Sequence, residues 1–464
     1  MQASRRHSQI VAVVQQQVKQ FFNSGQQARI YHGGTNSTRQ ANKSLPPVDI
    51  SNLNQIIEIN PAERYVIVEP NVPLDKLLAA TLKHNLMPPV VCELPGITVG
   101  GAILGGAGES SSFKYGCVNE ASLEYEVVLG NGQKVSTSAK NRSDLFYGLA
   151  ASCGSLGIIT LIKLKLVLAK PHVRLEYRPV NSFKAAQELI VAKAKEKVDF
   201  IDGIIFSKTQ GVVMLGYYDN ASKLPQATFH RKRDEWFYLH AQKISEKRSV
   251  YSETIPIRDY LFRYDRGAFW VGRFGCEYLH APFTRLTRRI FAPLFTTRRC
   301  LRFLHGAGLA QRFLTQDICL PEKNLVAFLQ FIDKTFGAYP LWLCPLKPAT
   351  KDKLSPNNIK TELVVSVGVY DKLDVPYQEF VRFNRQLEQK VLDLDARKVL
   401  YAHSYYPEKD FWRLYDHKPY NKLRIKYQAT KTFPDLYAKT FVGRAYPEPV
   451  IAKGWLALIK QPFN

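Results

Sequence analysis

The sequence predicts an α+β protein of two domains, and three observations carry that prediction. Short β-rich runs alternate with helical runs and end in glycine loops through the first third of the chain. Near residue 172 the texture changes, glycine loops thin out, and mixed helical and strand segments follow. With 464 residues and 45% hydrophobic content, the chain is long enough to bury more than one core.

The elements follow in order. Residues 8 to 22 place Ile10, Val14, Val18, Phe21 and Phe22 on one helical face, and Asn23-Ser24-Gly25 ends the helix. "ARIYHGGTNST" reads as a short strand entering a Gly-Gly loop, and "RYVIVEPN" as a strand that passes through Pro73 into a helix. The run 123 to 139 carries two β-rich stretches around Asn131-Gly132, a hairpin signal. Ser143 or Asp144 caps the helix "LFYGLAAS", and "IITLIKLKLVLA" is a half-exposed strand. In the second domain "ELVVSVGVY" is a central strand and "FVRFNRQLEQKVLDL" a helix. Boundaries are expected at residues 1–172, 173–400 and 401–464.

A net charge of +24 predicts attraction to anionic partners such as phosphorylated cofactors or acidic lipid surfaces. No nucleic-acid motif accompanies the charge, so nucleic acid is not an expected partner. Residues 266 to 314 hold nine arginines, no lysine and one acid, Glu277, interleaved with apolar side chains. That composition suits an anionic membrane surface. Seven scattered cysteines with no C-x-x-C pair argue against a disulfide framework and for a reducing compartment. No segment has the length and apolarity of a membrane span, and no His, Cys, Asp and Glu cluster has metal spacing. A cytoplasmic, peripherally membrane-associated protein without a metal is the expectation.

Three glycine-bearing stretches carry the chemistry: "HGGTNST" at 32 to 38, "PGITVGGAILGGAGESSSFKYG" at 95 to 116, and "CGSLGIIT" at 153 to 160. Glycine lets a backbone lie close to a ligand, and successive N–H groups with Ser and Thr hydroxyls make a concave donor surface for a pyrophosphate. Neither a G-x-G-x-x-G fingerprint nor a P-loop is present. Taken singly, each loop is also what an ordinary turn looks like.

Together, the Gly-Gly-Thr-Asn loop, the Pro-Gly-x-Thr-x-Gly-Gly stretch and Gly-x-x-Gly-Ile-Ile-Thr resemble the FAD domain of PCMH-type flavoproteins, the vanillyl-alcohol oxidase superfamily. "GESSSFKYG", "SDLFYGLAASCGSLGIITLIKLKLVLAKP", "YPLWLCP", "YAHSYY" and "YNKLRIKY" resemble its Δ24-sterol reductase branch, over residues 8 to about 440. The eukaryotic members of that branch carry a membrane anchor ahead of the flavin domain.

The resemblance implies a PCMH-type FAD-binding fold with a substrate cap, and noncovalent FAD. Three groups of residues would hold it: His32, Gly33, Gly34, Thr35, Asn36 and Ser37 at the pyrophosphate; Pro95, Gly96, Thr98, Val99, Gly100, Gly101, Gly105, Gly108, Glu109, Ser110, Ser111, Ser112, Tyr115 and Gly116 along the pyrophosphate and ring; and Gly154, Gly157, Ile158 and Ile159 beside the flavin and adenine. His32 is read as a phosphate-side donor. Glu109 to Ser112 equally make a polar helix start.

The implied reaction is reduction of a sterol C24=C25 double bond, with NADPH as transient electron donor. Tyr401, His403 or Tyr405 would supply the proton, although tyrosines spaced by four also simply pack. Lys422, Arg424 and Lys426 would lie near the flavin pyrimidine, or form a solvated charged face. Two alternatives remain: another FAD-dependent oxidoreductase, such as an aldonolactone or lipid-linked sugar oxidase, and a noncatalytic sterol- or membrane-binding flavoprotein. Oligomeric state is not legible.

Overall fold

In the computed structural model, which describes residues 2–34, 42, 44–220, 223–306 and 309–443, the N-terminal helix spans Gln2–Ser24. Val11, Val14 and Val18 are fully buried, with Ile10 and Phe21 at the edge. The buried stripe is thus centred on Val11, and Phe22 lies beneath the Lys431 ammonium, 5.0 Å from the ring centroid. His7 anchors the helix, its Nδ1 2.8 Å from Glu69 and its Nε2 3.0 Å from Glu126. Burial alone would depress this histidine, but the hydrogen bonds and charges of Glu126 and Glu69 outweigh it and raise the pKa to about 9. An imidazolium between two carboxylates therefore pins the helix to the sheet below.

That sheet belongs to the first domain. Its strands are β1 (Arg29–Tyr31), β2 (Pro47–Asp49), β3 (Ile56–Asn60), β4 (Tyr65–Val68), β5 (Leu86–Met87), β6 (Ser122–Val128), β7 (Lys134–Ser138), β8 (Ile158–Lys165) and β9 (Val167–Leu168). β3-β4-β8-β6-β7 form an antiparallel five-stranded sheet, while β1 and β2 pair in parallel beside it. The hairpin between β6 and β7 forms around the predicted Asn131-Gly132. Gly132 sits at φ +84° and its N–H bonds the Leu129 carbonyl at 2.9 Å, a turn closed by one left-handed residue. A Cβ at Gly132 would stand 2.7 Å from the Gln15 carbonyl, so the bare turn lets the N-terminal helix dock. The helix Ser143–Leu149 starts without the expected side-chain cap, because Arg142 takes the N-cap position and puts Ser143 and Asp144 inside the first turn, where Asp144 pairs with Lys426 and Tyr427.

The second domain is an eight-stranded antiparallel sheet of β10 (His172–Val180), β11 (Phe200–Ser207), β12 (Gln210–Asp219), β13 (Tyr251–Pro256), β14 (Phe313–Pro321), β15 (Leu341–Leu346), β16 (Val364–Lys372) and β17 (Arg397–Lys398), in the order β13-β10-β12-β11-β15-β16-β14-β17. Side chains alternate across it. Leu314, Ile318, Leu343, Val365, Val367 and Val369 point to a core closed by the helices Phe183–Lys193, Leu325–Phe336 and Tyr377–Asp393. Each fully buried Leu or Phe in that layer contributes about 1.5–3 kcal/mol of transfer free energy. Thr315, Asp317, Cys319, Trp342 and Tyr370 take the opposite face, toward the first domain.

Among the described residues, the arginine-rich segment folds as three short α-helices, Gly272–Tyr278, Arg285–Ile290 and Thr297–Gly306, and a 3-10 turn, Leu309–Arg312. After β17 the chain returns to the first domain, where the helix His417–Lys426 packs against Ser143–Leu149. Among the described residues no helix is long and apolar enough to cross a membrane.

Candidate active site and cofactor cavity

A cavity of about 1270 Å³ lies between the glycine loops of the first domain and the inward face of the eight-stranded sheet. That exceeds the roughly 300–1,000 Å³ of an ordinary small-molecule pocket, and gives room for a dinucleotide and a second ligand.

One wall is bare backbone. Gly100, Gly101, Gly105, Gly106, Gly108 and Gly154 line it. At Gly105 a Cβ would meet nothing within 4 Å, whereas Gly106 and Gly154 sit at φ +67° and +71°, where a side chain is strained. Thr98 starts the helix Val99–Gly105 by accepting from the Gly101 N–H at 3.2 Å. Arg29, His32 and Lys439 bring basic groups to the same end. Arg29 Nε is buried without a hydrogen-bond partner, and Lys439 Nζ donates to the Gly154 carbonyl at 3.1 Å. His32 is exposed at the surface, yet partial desolvation by the surrounding loop and the neighbouring Lys439 hold its pKa below its usual value, and its Nδ1 accepts from the Gly34 N–H at 3.0 Å, which puts the ring proton on Nε2 as a donor. An unsatisfied guanidinium nitrogen and a neutral imidazole donor, set beside backbone that carries no side chains, suit a pyrophosphate, so this wall fits FAD.

The opposite wall carries acids and phenols. Asp317 on β14 accepts from the Tyr370 hydroxyl at 2.6 Å, and the Tyr401 hydroxyl, which has one proton to give, is within hydrogen-bonding reach of both Asp317 and Tyr370. All three line the cavity. Burial raises the Asp317 carboxyl, partly offset by the two phenol hydrogen bonds, to about 6. Glu93, from the loop before the second glycine stretch, lines the cavity with Oε1 unpartnered; burial and the charge of Glu109 push it well above the carboxylate range. Apolar side chains fill the rest, including Phe269, Val271, Leu301, Leu304 and Leu346.

Of the residues singled out from sequence, the cavity gathers His32, Gly34, Thr98, Gly100, Gly101, Gly105, Gly108, Gly154, Ile158, Ile159 and Tyr401. Gly33, at φ +70°, shapes the first loop; Thr35, Asn36 and Ser37 lie outside the described residues. Others hold structure instead. Pro95 and Gly96 lie under Arg298, whose side chain fills the space above Gly96. Val99 packs inward in the core. Glu109 is buried and engaged by Ser110 Oγ at 2.6 Å, by the Ser111 N–H at 2.9 Å and by the Ser111 hydroxyl, while Ser112 Oγ accepts from the Glu109 N–H at 2.8 Å. This serine run satisfies itself. Tyr115 is half-buried beside Lys114. Gly116, at φ +78°, makes room for the Glu120 carboxylate, and Gly157 for Val127 and Val128.

The C-terminal residues divide for a geometric reason. Residues 422 to 426 are helical, so the alternation of Lys422, Arg424 and Lys426 distributes them around the axis instead of along one face. Lys422 is exposed, Lys426 pairs with Asp144 at 2.6 Å, and buried Arg424 donates to the carbonyls of Ser155, Phe433 and Pro434. The segment around 401 to 405 is not helical, which sends Tyr401 into the cavity while His403 and Tyr405 are buried against Phe380. Sequence reasoning missed Asp317, Tyr370 and Glu93. A lone carboxylate within the apolar run "FLTQDICLP" was the available signal.

The two walls define a flavoprotein built on an FAD-binding domain, and residues 8–138 match the family model described as FAD binding domain. The chain is 30% identical to a human Delta(24)-sterol reductase over 451 residues, covering 94% of this chain and 87% of the relative. It is 30% identical to the Arabidopsis thaliana Delta(24)-sterol reductase over 439 residues, 86% and 77% of the two chains. A rice cytokinin dehydrogenase 8 is 33% identical over 140 residues, 30% of this chain. The chain belongs to the Delta(24)-sterol reductase family.

Proposed function

We propose that the protein reduces the C24=C25 double bond of a sterol side chain, with FAD bound noncovalently at the glycine wall and NADPH as electron donor. The observation that carries this reading is the cavity itself, with a bare-backbone wall on one side and an acid–phenol cluster on the other. When bound, FAD supplies two-electron transfer between the nicotinamide and the alkene. The chain's own residues supply the remainder: Phe269, Leu301, Leu304 and Leu346 exclude water and suit an apolar substrate, and Tyr401 holds a proton at its hydroxyl. Of the three acids considered, Tyr401 is preferred because it lines the cavity.

Peripheral attachment to an anionic membrane surface is part of the same reading. Phe283, Leu286 and Ile290 are 37%, 66% and 61% exposed, flanked by exposed Arg285 and Arg289. The next helix, Thr297–Gly306, lines the cavity through Cys300, Leu301, Leu304 and His305. An apolar sterol leaving a bilayer at the first helix would thus reach the cavity beside the second.

Anaerobic visible spectra test the reaction. NADPH is expected to bleach the bound flavin and desmosterol to restore its colour. A flavin that NADPH bleaches but only oxygen restores would point to an oxidase instead.

A further inference from the structure

We propose that Asp317 is the proton reservoir for the alkene reduction, resupplying the Tyr401 hydroxyl through the hydrogen bond between them. The proposal rests on the sterol-reductase reading above.

A tyrosine alone is a poor acid here. Burial and the adjacent Asp317 hold the Tyr401 pKa well above its ordinary value, so a lone phenolate would be a costly buried charge. A carboxyl in contact removes that cost by returning a proton as the first one leaves. In the step, the Tyr401 O–H bond breaks and its proton forms a C–H bond with the π pair of one alkene carbon. The Asp317 O–H bond breaks and the Tyr401 O–H re-forms. Bound reduced FAD would supply the hydrogen and electron pair that the other alkene carbon needs. Asp317 is left as a carboxylate that accepts from Tyr370 as before and now from the re-formed Tyr401 hydroxyl, and water reprotonates it.

The site is built for this contact. Asp317 on β14 stands opposite Gly368 on β16, and Tyr370 lies two residues further along the same face. A Cβ at Gly368 would come within 2.6 Å of the Tyr370 hydroxyl and 3.0 Å of Asp317 Oδ1. Glycine there lets the Tyr370 ring fold back and reach the carboxyl. The titratable groups around Asp317 are Tyr370 from β16, Tyr401 from the segment after β17, and Cys319 from its own strand. Glu93, from the first domain, acts on both tyrosines. With a pKa raised by burial to about 6, Asp317 holds its proton below that pH and loses it above, so proton delivery falls as pH rises through about 6.

The test uses the full-length, FAD-loaded protein and follows single-turnover recolouring of the reduced flavin by desmosterol across pH. Infrared titration of the carboxyl band is recorded with and without flavin. In the wild type, the rate is expected to fall about tenfold per pH unit above the limb, and a carboxyl band to disappear over the same range. Asp317→Asn should lose both the limb and the band and slow recolouring by about 10²-fold or more, with bleaching by NADPH intact. Tyr370→Phe removes a hydrogen bond that favours the carboxylate, so limb and band should move together to higher pH. A wild type that turns over while Asp317→Asn keeps its rate and limb overturns the reservoir alone. Wild-type flavin that desmosterol never recolours overturns the sterol reading on which it rests.

Discussion

Two carboxyls illustrate how burial alone does not make a site. Glu109 and Asp317 both accept from hydroxyls, and burial raises the pKa of each. Glu109 is closed on itself: serine hydroxyls and an amide occupy its oxygens, and it does not line the cavity. Asp317 sits on the strand face that lines the cavity, so its phenol partners border open volume even though Tyr370 also packs on Phe269. Hydrogen bonds among neighbours rigidify a loop in the first case and hold a carboxyl at the edge of open volume in the second.

The largest effect that would sharpen this contrast is expected at Tyr401. Tyr401→Phe should slow flavin recolouring by sterol by about 10²–10⁴-fold, the range for loss of a general acid, while bleaching by NADPH continues. Equal loss of both half-reactions would assign the residue to cofactor binding. Next comes the exposed apolar helix. Replacing Leu286 and Ile290 together by serine should weaken binding to anionic vesicles by about 10–100-fold, measured by sedimentation, without changing turnover of detergent-dispersed sterol.

Glu109 should behave oppositely to Tyr401. Glu109→Ala removes the acceptor of the buried Ser111 N–H and opens a cavity, costing about 2–4 kcal/mol in urea unfolding, with little change in turnover per bound flavin. A smaller, pH-dependent effect belongs to His7, another cluster closed on itself. Its folded pKa is raised from 6.5 to about 9, so its contribution is complete below the ordinary value and disappears as pH rises through the folded one. His7→Gln should therefore be destabilised by about 2 kcal/mol at pH near 6 and match the wild type once pH passes well above 9, as read by thermal melts of both proteins.

The sequence made the glycine wall legible because glycine has a local meaning: an open position such as Gly105 or a positive φ such as Gly154 is a property of the residue type. It also made the strand β16 and the hairpin at Gly132 legible, through alternation and turn chemistry. The acid–phenol cluster was not, because Asp317, Tyr370 and Tyr401 meet only through antiparallel register and a loop return. Charge patterns misled wherever the backbone period differed from the one assumed, as at Arg424, whose helix turns it inward to three carbonyls. Most of the arginine-rich segment carries local partners too, Arg288 with Glu235 and Arg298 with Asp75 among them.

The central claim is that a sterol alkene and FAD meet in this cavity beside Tyr401. A structure of the protein with FAD and desmosterol tests it most directly. The account predicts the double bond about 3–3.5 Å from the Tyr401 hydroxyl, within the reach of a reacting pair, with Asp317 still bonded to that tyrosine. A sterol bound outside the cavity, or a Tyr401 hydroxyl screened from the double bond by other side chains, would contradict it.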